Sequence, residues 1–227
     1  MNIKALIDAA DTKSVSVGVV GLGYVGLPLA LNFSKAGFSV LGFDIDKDKI
    51  EQLLDGKTYI NYIFNEKIAE AVSSQQFRPT SNFEELANTN VIIICVPTPI
   101  SKNKEPDLRF VETTAEEISS ILQKGQLVIL ESTTYPGCTE TIVKPILEKS
   151  GLLSGKDFYL AYSPERVDPG NKDFDNIDIP KVVGGDGLEA LNLSTALYSR
   201  VFSSIVPVAS MEVAEATKLT ENILMIL

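Results

Sequence analysis

An α/β fold built on a doubly wound parallel sheet is predicted from three features of the sequence. Short β-branched runs alternate with longer apolar-periodic segments, the order expected of consecutive βα units. One run, Val91-Ile92-Ile93-Ile94-Cys95-Val96, is apolar at every position, as a parallel strand covered on both faces requires. A glycine-rich turn, Gly21-Leu22-Gly23-Tyr24-Val25-Gly26, joins the first strand to the first apolar-periodic segment.

The elements follow in order. Residues 15–20 form the first strand, and 27–36 after the turn form a helix closed by Gly37. Residues 39–43 are the second strand, with a charged helix beginning near Asp46. After the central strand at 91–96, residues 108–122 are helical and end near Gly125; 127–130 is a strand, 138–149 a helix and 158–161 a strand. The stretch 163–180, rich in Pro, Asp, Asn and Gly, reads as a long functional loop because strand character resumes at 181–183. Residues 205–208 are a last short strand. From Ser210 to the end the sequence reads as a single helix with no closing cap, the start of a long central helix.

The chain has 227 residues, 44% hydrophobic and 22% charged, enough apolar material for a sizeable core. Its formal charge is -10 and its isoelectric point about 4.6, and there is no basic run, so nucleic acid is excluded as an expected partner. With two cysteines, Cys95 and Cys138, and no histidine, neither a disulfide framework nor a metal cluster is expected, and a reducing cytoplasm fits. Histidine-based triads are excluded, leaving Lys, Glu or Asp for proton transfer. Residues 14–34 carry no charge and are nearly long enough to span a bilayer, but their glycines and proline mark strand, turn and helix, so no membrane role is expected.

The glycine turn matches G-x-G-x-x-G in the context that gives the pattern meaning, directly after a strand and opening a helix. The first glycine makes the tight turn, the second lets a diphosphate approach the backbone, and the third lets helix and strand pack closely. A diphosphate there sits at the positive end of the helix. Gly21, Gly23, Tyr24, Val25 and Gly26 are therefore candidate cofactor-binding residues. Asp44, 23 residues after Gly21 at the end of strand two, is placed to accept hydrogen bonds from ribose hydroxyls and to repel a 2′-phosphate, which favours NAD over NADP. Lys49 reads either as a ribose or phosphate contact or as an exposed helix lysine. Residues 1–208 are thus expected to form an NAD-binding, Rossmann-like domain, with 209–227 the beginning of the connecting helix.

Together with VPTP at 96–99, KNKEPDL at 102–108, ESTTYPG at 131–137, SPERVDPGN at 163–171 and KLTEN at 218–222, the segment GLGYVGLPLA at 21–30 resembles the UDP-glucose/GDP-mannose dehydrogenase family. The resemblance is strongest toward bacterial enzymes acting on UDP-N-acetylglucosamine or UDP-N-acetylmannosamine, and it covers almost the whole chain in family order. It implies oxidation of the sugar C6 hydroxymethyl to a carboxylate in two hydride transfers with NAD, cytoplasmic work in polysaccharide biosynthesis, and homo-oligomers. It further implies that Thr98 hydrogen-bonds NAD and that Thr133 borders the nicotinamide and helps hold a catalytic water. Glu165 is implied beside the reacting carbon, with Arg166 and Val167 in contact with the sugar nucleotide. Lys218 would stabilise the developing alkoxide, and Asn222 would position water and substrate. Read from the residues alone, Thr98 and Thr133 are ordinary turn residues and Glu165–Arg166 a surface pair. On the same reading Glu215 and Lys218 form a solvated helix-face pair.

The family nucleophile is implied to be a cysteine in a glycine-rich segment beyond this helix, and no such segment is present in these residues. Cys95 reads as a core residue. Cys138, at a helix start where relatives commonly carry threonine, reads as unreactive. After Asn222 the resemblance implies Phe-Arg and then Asn-Ile-Ala, whereas the sequence runs Ile223-Leu224-Met225-Ile226-Leu227. These apolar residues are expected to fold back or to associate, and the UDP-binding domain is expected to be absent, so that the chain alone is inactive. The alternatives are a non-catalytic NAD-binding or assembly module and a related β-hydroxyacid-type dehydrogenase.

Overall fold

The computed structural model describes residues 3–99, 106–165 and 179–224, with side chains for 4–99, 106–165 and 179–220. Helix α1 (Ile3–Asp11) precedes strand β1 (Ser16–Val20). The glycine turn leads into α2 (Gly26–Lys35), which ends at Gly37 in a left-handed conformation (φ 97°), the backbone state that lets a helix stop and the chain turn into β2 (Ser39–Phe43). Helix α3 (Lys47–Leu54) starts where the Asp46 carboxylate accepts from the N–H groups of Asp48 and Lys49. Beyond the sequence expectation, α4 (Asn65–Ser73), β3 (Phe77–Thr80) and a 3-10 segment (Phe83–Asn88) follow before β4 (Val91–Ile94).

Helix α5 (Arg109–Ile121) and β5 (Leu127–Leu130) lie close to their expected bounds. The expected helix at 138–149 is instead a π segment, Thr139–Val143, running into the short α6 (Lys144–Glu148). Pro145 has no N–H to complete the regular ladder, and a widened turn just before it accommodates the gap. Then come β6 (Tyr159–Tyr162), β7 (Lys181–Gly185), α7 (Gly187–Tyr198), β8 (Ile205–Pro207) and α8 (Met211–Leu224). Ser210 caps α8, its hydroxyl accepting from Val213 N–H at 3.2 Å.

The sheet order is β3-β2-β1-β4-β5-β6-β7-β8. The first six strands run parallel, as predicted for a doubly wound, Rossmann-like sheet. The chain then reverses: β7 is antiparallel to β6, and β8 is parallel to β7. Alternating strand residues feed two cores. Val17, Val19, Ile93, Ile129 and Ala161 pack beneath α1, α2 and α7 on one face, and Val20, Ile92, Ile94, Val128 and Leu160 pack on the other. The uncharged stretch 14–34 is β1, turn and α2, and among the described residues no helix is long and apolar enough to cross a membrane.

Strand order reverses direction from the chain start between β1 and β4. This is where the loops at the carboxyl ends of open α/β sheets leave a crevice. Residues 21–26 leave β1 there and residues 95–99 leave β4.

Candidate functional site

The glycine turn is tied into the sheet by its first two N–H groups. Gly21 N–H donates to Phe43 O at 2.8 Å, and Leu22 N–H to Asp44 Oδ2 at 2.9 Å. Gly21 has φ 90°, and a side chain there would come within 2.8 Å of the Cys95 carbonyl oxygen. A side chain at Gly26 would run into the Gly21 carbonyl. Gly23 differs, since an added Cβ would meet nothing within 4 Å. The outer two glycines therefore serve internal packing, while the middle one opens onto free space at the start of α2, a cradle that fits a diphosphate.

Asp44 stands beside this cradle and is 6% exposed. Its Oδ1 accepts from Asp46 N–H at 3.0 Å, and Lys49 Nζ lies 3.3 Å from Oδ2. Lys49 is half-buried, with its ammonium 5.6 Å from the Tyr59 ring centroid, so it packs against Asp44 and Tyr59 instead of standing free on the helix face. On the far side of the crevice Thr98 is half-buried and Thr133 exposed. The loops that carry them are joined by Ser132, whose hydroxyl donates to Val96 O at 2.7 Å. A buried carboxylate, an open glycine and two hydroxyls thus share one rim of the sheet.

Glu165, just past β6, meets a buried cluster that the sequence reading did not single out. Lys181, the first residue of β7, reaches this rim because its strand runs backwards. Its ammonium lies 2.8 Å from Glu131 Oε2, 3.4 Å from Glu165 Oε2 and 3.3 Å from the Pro164 carbonyl. Tyr198 donates a short hydrogen bond to the other Glu131 oxygen, and the rings of Tyr198 and Phe202 each lie 5.4 Å from the ammonium. Burial pushes the Glu131 carboxyl up, and Lys181 opposes this only in part. Burial also works against the Lys181 charge, but Glu131 and Glu165 outweigh it and hold the ammonium above its usual value. The cluster clamps the loop at Glu165. A lysine entering an apolar strand after Ile179-Pro180 is the local trace of it in the sequence.

Glu215 corrects the helix-face reading. It is fully buried, and its carboxylate leaves the α8 face to accept from Gly137 N–H (2.5 Å), Thr139 N–H (2.8 Å), Thr139 Oγ1 (2.6 Å) and Thr134 Oγ1 (3.3 Å). It thereby caps the helix that begins at Cys138 and fastens α8 to the loop that carries Thr133. Lys218 is half-buried one turn further along α8. Asn222 lies in the same helix, but its side chain falls outside the described residues, as do Arg166, Val167, residues 102–105 and residues 225–227.

Both cysteines are buried and unpaired. Burial, followed by the Glu215 and Glu112 carboxylates, pushes the Cys138 thiol up to about 12. Burial and the Glu131 carboxylate drive Cys95 up as well. Neither thiol is poised to attack a carbonyl carbon.

Residues 15–202 match the model of the NAD binding domain of the UDP-glucose/GDP-mannose dehydrogenase family, and NAD is the cofactor of that domain. A Pseudomonas aeruginosa UDP-N-acetyl-D-glucosamine 6-dehydrogenase is 43% identical over 92% of the chain and 49% of the relative. Among solved structures, a Pyrococcus horikoshii enzyme described as UDP-D-ManNAc dehydrogenase superposes with a TM-score of 0.84 at 35% identity, covering 92% of this chain and 50% of its own. A ternary complex of Pseudomonas aeruginosa GDP-mannose dehydrogenase gives 0.85 at 28% identity, covering 92% and 49%. The chain spans about half the length of the curated relatives it matches.

Proposed function

The chain belongs to the UDP-glucose/GDP-mannose dehydrogenase family, and from that premise we propose that these residues are the NAD-binding portion of a nucleotide-sugar 6-dehydrogenase. The observation that carries the reading is the open Gly23 at the start of α2 with the buried Asp44 carboxylate beside it. The turn holds the diphosphate, Gly21 and Gly26 by giving it its shape and Gly23, Tyr24 and Val25 by lining it, and Asp44, with Lys49 against it, takes the adenosine ribose. Thr98 and Thr133 border the nicotinamide. NAD, when bound, supplies the hydride acceptor.

The substrate in this reading is a UDP-N-acetylhexosamine, whose C6 hydroxymethyl becomes a carboxylate in two hydride transfers. Lys218 steadies negative charge on the C6 oxygen as the hydroxyl proton departs. Glu165, held by Lys181, and Thr133 keep water and the sugar in place, with Asn222, Arg166 and Val167 as further contacts. The second oxidation passes through a thiohemiacetal, which requires an accessible thiolate. Cys95 and Cys138 are unsuited to that, so the 227 residues as a unit bind NAD without completing turnover. A cytoplasmic setting belongs to the same reading.

The test pairs calorimetric titration of NAD with an assay for NADH and sugar acid. The substrates are UDP-N-acetylglucosamine and UDP-N-acetylmannosamine at high protein concentration. NAD binding without uronic acid is expected. Steady acid formation by these residues would refute the division of labour, and failure to bind NAD would refute the reading itself.

A further inference from the structure

The segment between α3 and α4 is unrelated to any of the family blocks recognised in the sequence, yet it lies against the glycine turn. It alternates anchors and tyrosines: Ile60 and Ile63 are buried in the core beneath α2, while Tyr59 is half-buried and Tyr62 is 37% exposed. The segment is held in shape locally. Thr58 N–H donates to Asn65 Oδ1 at 2.9 Å, Ile60 N–H to Thr58 Oγ1 at 3.0 Å, and Ile63 N–H to Ile60 O at 3.0 Å. From this platform Tyr59 Oη donates to Leu22 O at 2.5 Å, and Tyr62 Oη donates to Tyr24 O at 3.0 Å.

Those two carbonyls belong to the peptides that carry the N–H groups of Gly23 and Val25. The chain has no cis peptide among its described residues. In a trans peptide the C=O and N–H point in opposite directions within one rigid plane. Fixing the Leu22 carbonyl therefore fixes the Gly23 N–H, and fixing the Tyr24 carbonyl fixes the Val25 N–H, each pointing away from its tyrosine. Glycine imposes little of this by itself, because its backbone is the most permissive of any residue. Asp44 already holds Leu22 N–H, so Tyr59 and Asp44 grip the same residue from its two ends. Burial, and then the Asp44 and Asp46 carboxylates, push the Tyr59 phenol up, and burial with Tyr24 and Glu165 does the same for Tyr62, so both stay protonated donors.

We propose that Tyr59 and Tyr62 are positioning residues for the dinucleotide diphosphate, holding the Gly23 and Val25 amides in their ligand-facing orientation. The proposal rests on the NAD reading above and adds an outer layer to the phosphate cradle, supplied by a different segment of chain. A diphosphate bound at this turn gains from amides set in place before it arrives, because little ordering remains to be done on binding.

The experiment uses the whole chain as Tyr59→Phe, Tyr62→Phe and the double variant, each change removing only a hydroxyl. Calorimetry gives the Kd for NAD and for ADP-ribose, which share the diphosphate. Ligand-observed NMR gives the affinity for adenosine, which lacks it. Each single change is expected to raise the Kd for NAD and ADP-ribose by about 2- to 10-fold, the range for one net hydrogen bond, and the double change by more, with adenosine unaltered. A double variant binding NAD within about a factor of two of wild type overturns the proposal, since that is the least one lost hydrogen bond predicts. An equal loss for adenosine also overturns it, because the effect is then general loosening. A wild-type chain that binds neither NAD nor ADP-ribose removes the functional reading and this proposal together. Wild-type binding that the variants match removes the proposal alone.

Discussion

Replacing Glu215 with alanine should cost this chain a large share of its stability, although the residue touches no part of the glycine cradle. Its carboxylate is fully buried and accepts four hydrogen bonds. Two of the donors are threonine hydroxyls, which can rotate toward other acceptors. The other two, the N–H groups of Gly137 just before the helix and of Thr139 in its first turn, are backbone donors with no alternative partner within it. Leaving a buried donor unsatisfied costs about 1–3 kcal/mol; Thr139 N–H is buried and Gly137 N–H half-buried, so the two together cost roughly 2–4 kcal/mol. At about 2–4 °C per kcal/mol for a chain of this size, the middle of that range lowers Tm by roughly 10 °C. Glu215→Gln retains one acceptor oxygen and presents an NH2 group to the remaining donors, so a loss of about half is expected. Urea and thermal unfolding measure the cost, and amide hydrogen exchange locates it, with faster exchange at Gly137, Thr139 and the first turns of α8. A loss below about 1 kcal/mol for Glu215→Ala, under the floor for a single unsatisfied donor, would show that Glu215 does not cap this helix.

Three further outcomes are expected. Calorimetry should find NAD bound more tightly than NADP, and Asp44→Ala should weaken NAD and narrow the gap; equal affinities in the wild type would remove Asp44 from the ribose. Lys181→Met should destabilise by about 3–5 kcal/mol in urea because it strands Glu131 in the core, and adding Glu131→Gln should recover most of the loss. In that single variant the buried Glu131 holds its proton to higher pH than the unfolded chain does, so stability should fall as pH rises above the ordinary carboxyl range; a pH-independent loss would contradict the buried-charge explanation. Native protein should resist alkylation at Cys95 and Cys138 at pH 8 and react at both once unfolded. Because the Cys138 thiol sits at about 12 in the fold, the unfolded chain ionises first and stability should decline as pH climbs beyond 9; rapid native labelling of Cys138 would reopen it as a nucleophile.

The parts of the fold written in local periodicity were legible in the sequence. The glycine turn, the all-apolar 91–94 strand and Asp44 at its spacing need only neighbours along the chain to be understood. The region 55–90 was opaque for a physical reason: β3 is the edge strand of the sheet, reading Phe-Arg-Pro-Thr, and Pro and Arg are tolerated there because one side of the strand pairs with no other strand among the described residues. Glu215 and Lys181 were misread or passed over because their partners are 76 and 50 residues away, at Thr139 and Glu131. Three residues before a lysine on a helix, a glutamate carries no local sign that it will face inward. Tyr59 and Tyr62 did leave a trace, two tyrosines three apart interleaved with isoleucines in a polar stretch, but what they hold is 37 and 38 residues earlier in the chain.

The reversal between β6 and β7 has a consequence for the register of the sheet. Every earlier link between sheet neighbours must cross from one rim to the opposite one, so its length is fixed by the span of the sheet. Between Glu165 and Lys181 the chain departs from and returns to the same rim, with Tyr162 registered against Gly184 and Ala161 against Gly185. Both ends are also staked by the same ammonium, which binds Glu165 at the departure and opens β7 at the return. The register of β6 against β7 is therefore set at the rim itself, by two paired positions and one ammonium, and does not depend on the length of the chain between them.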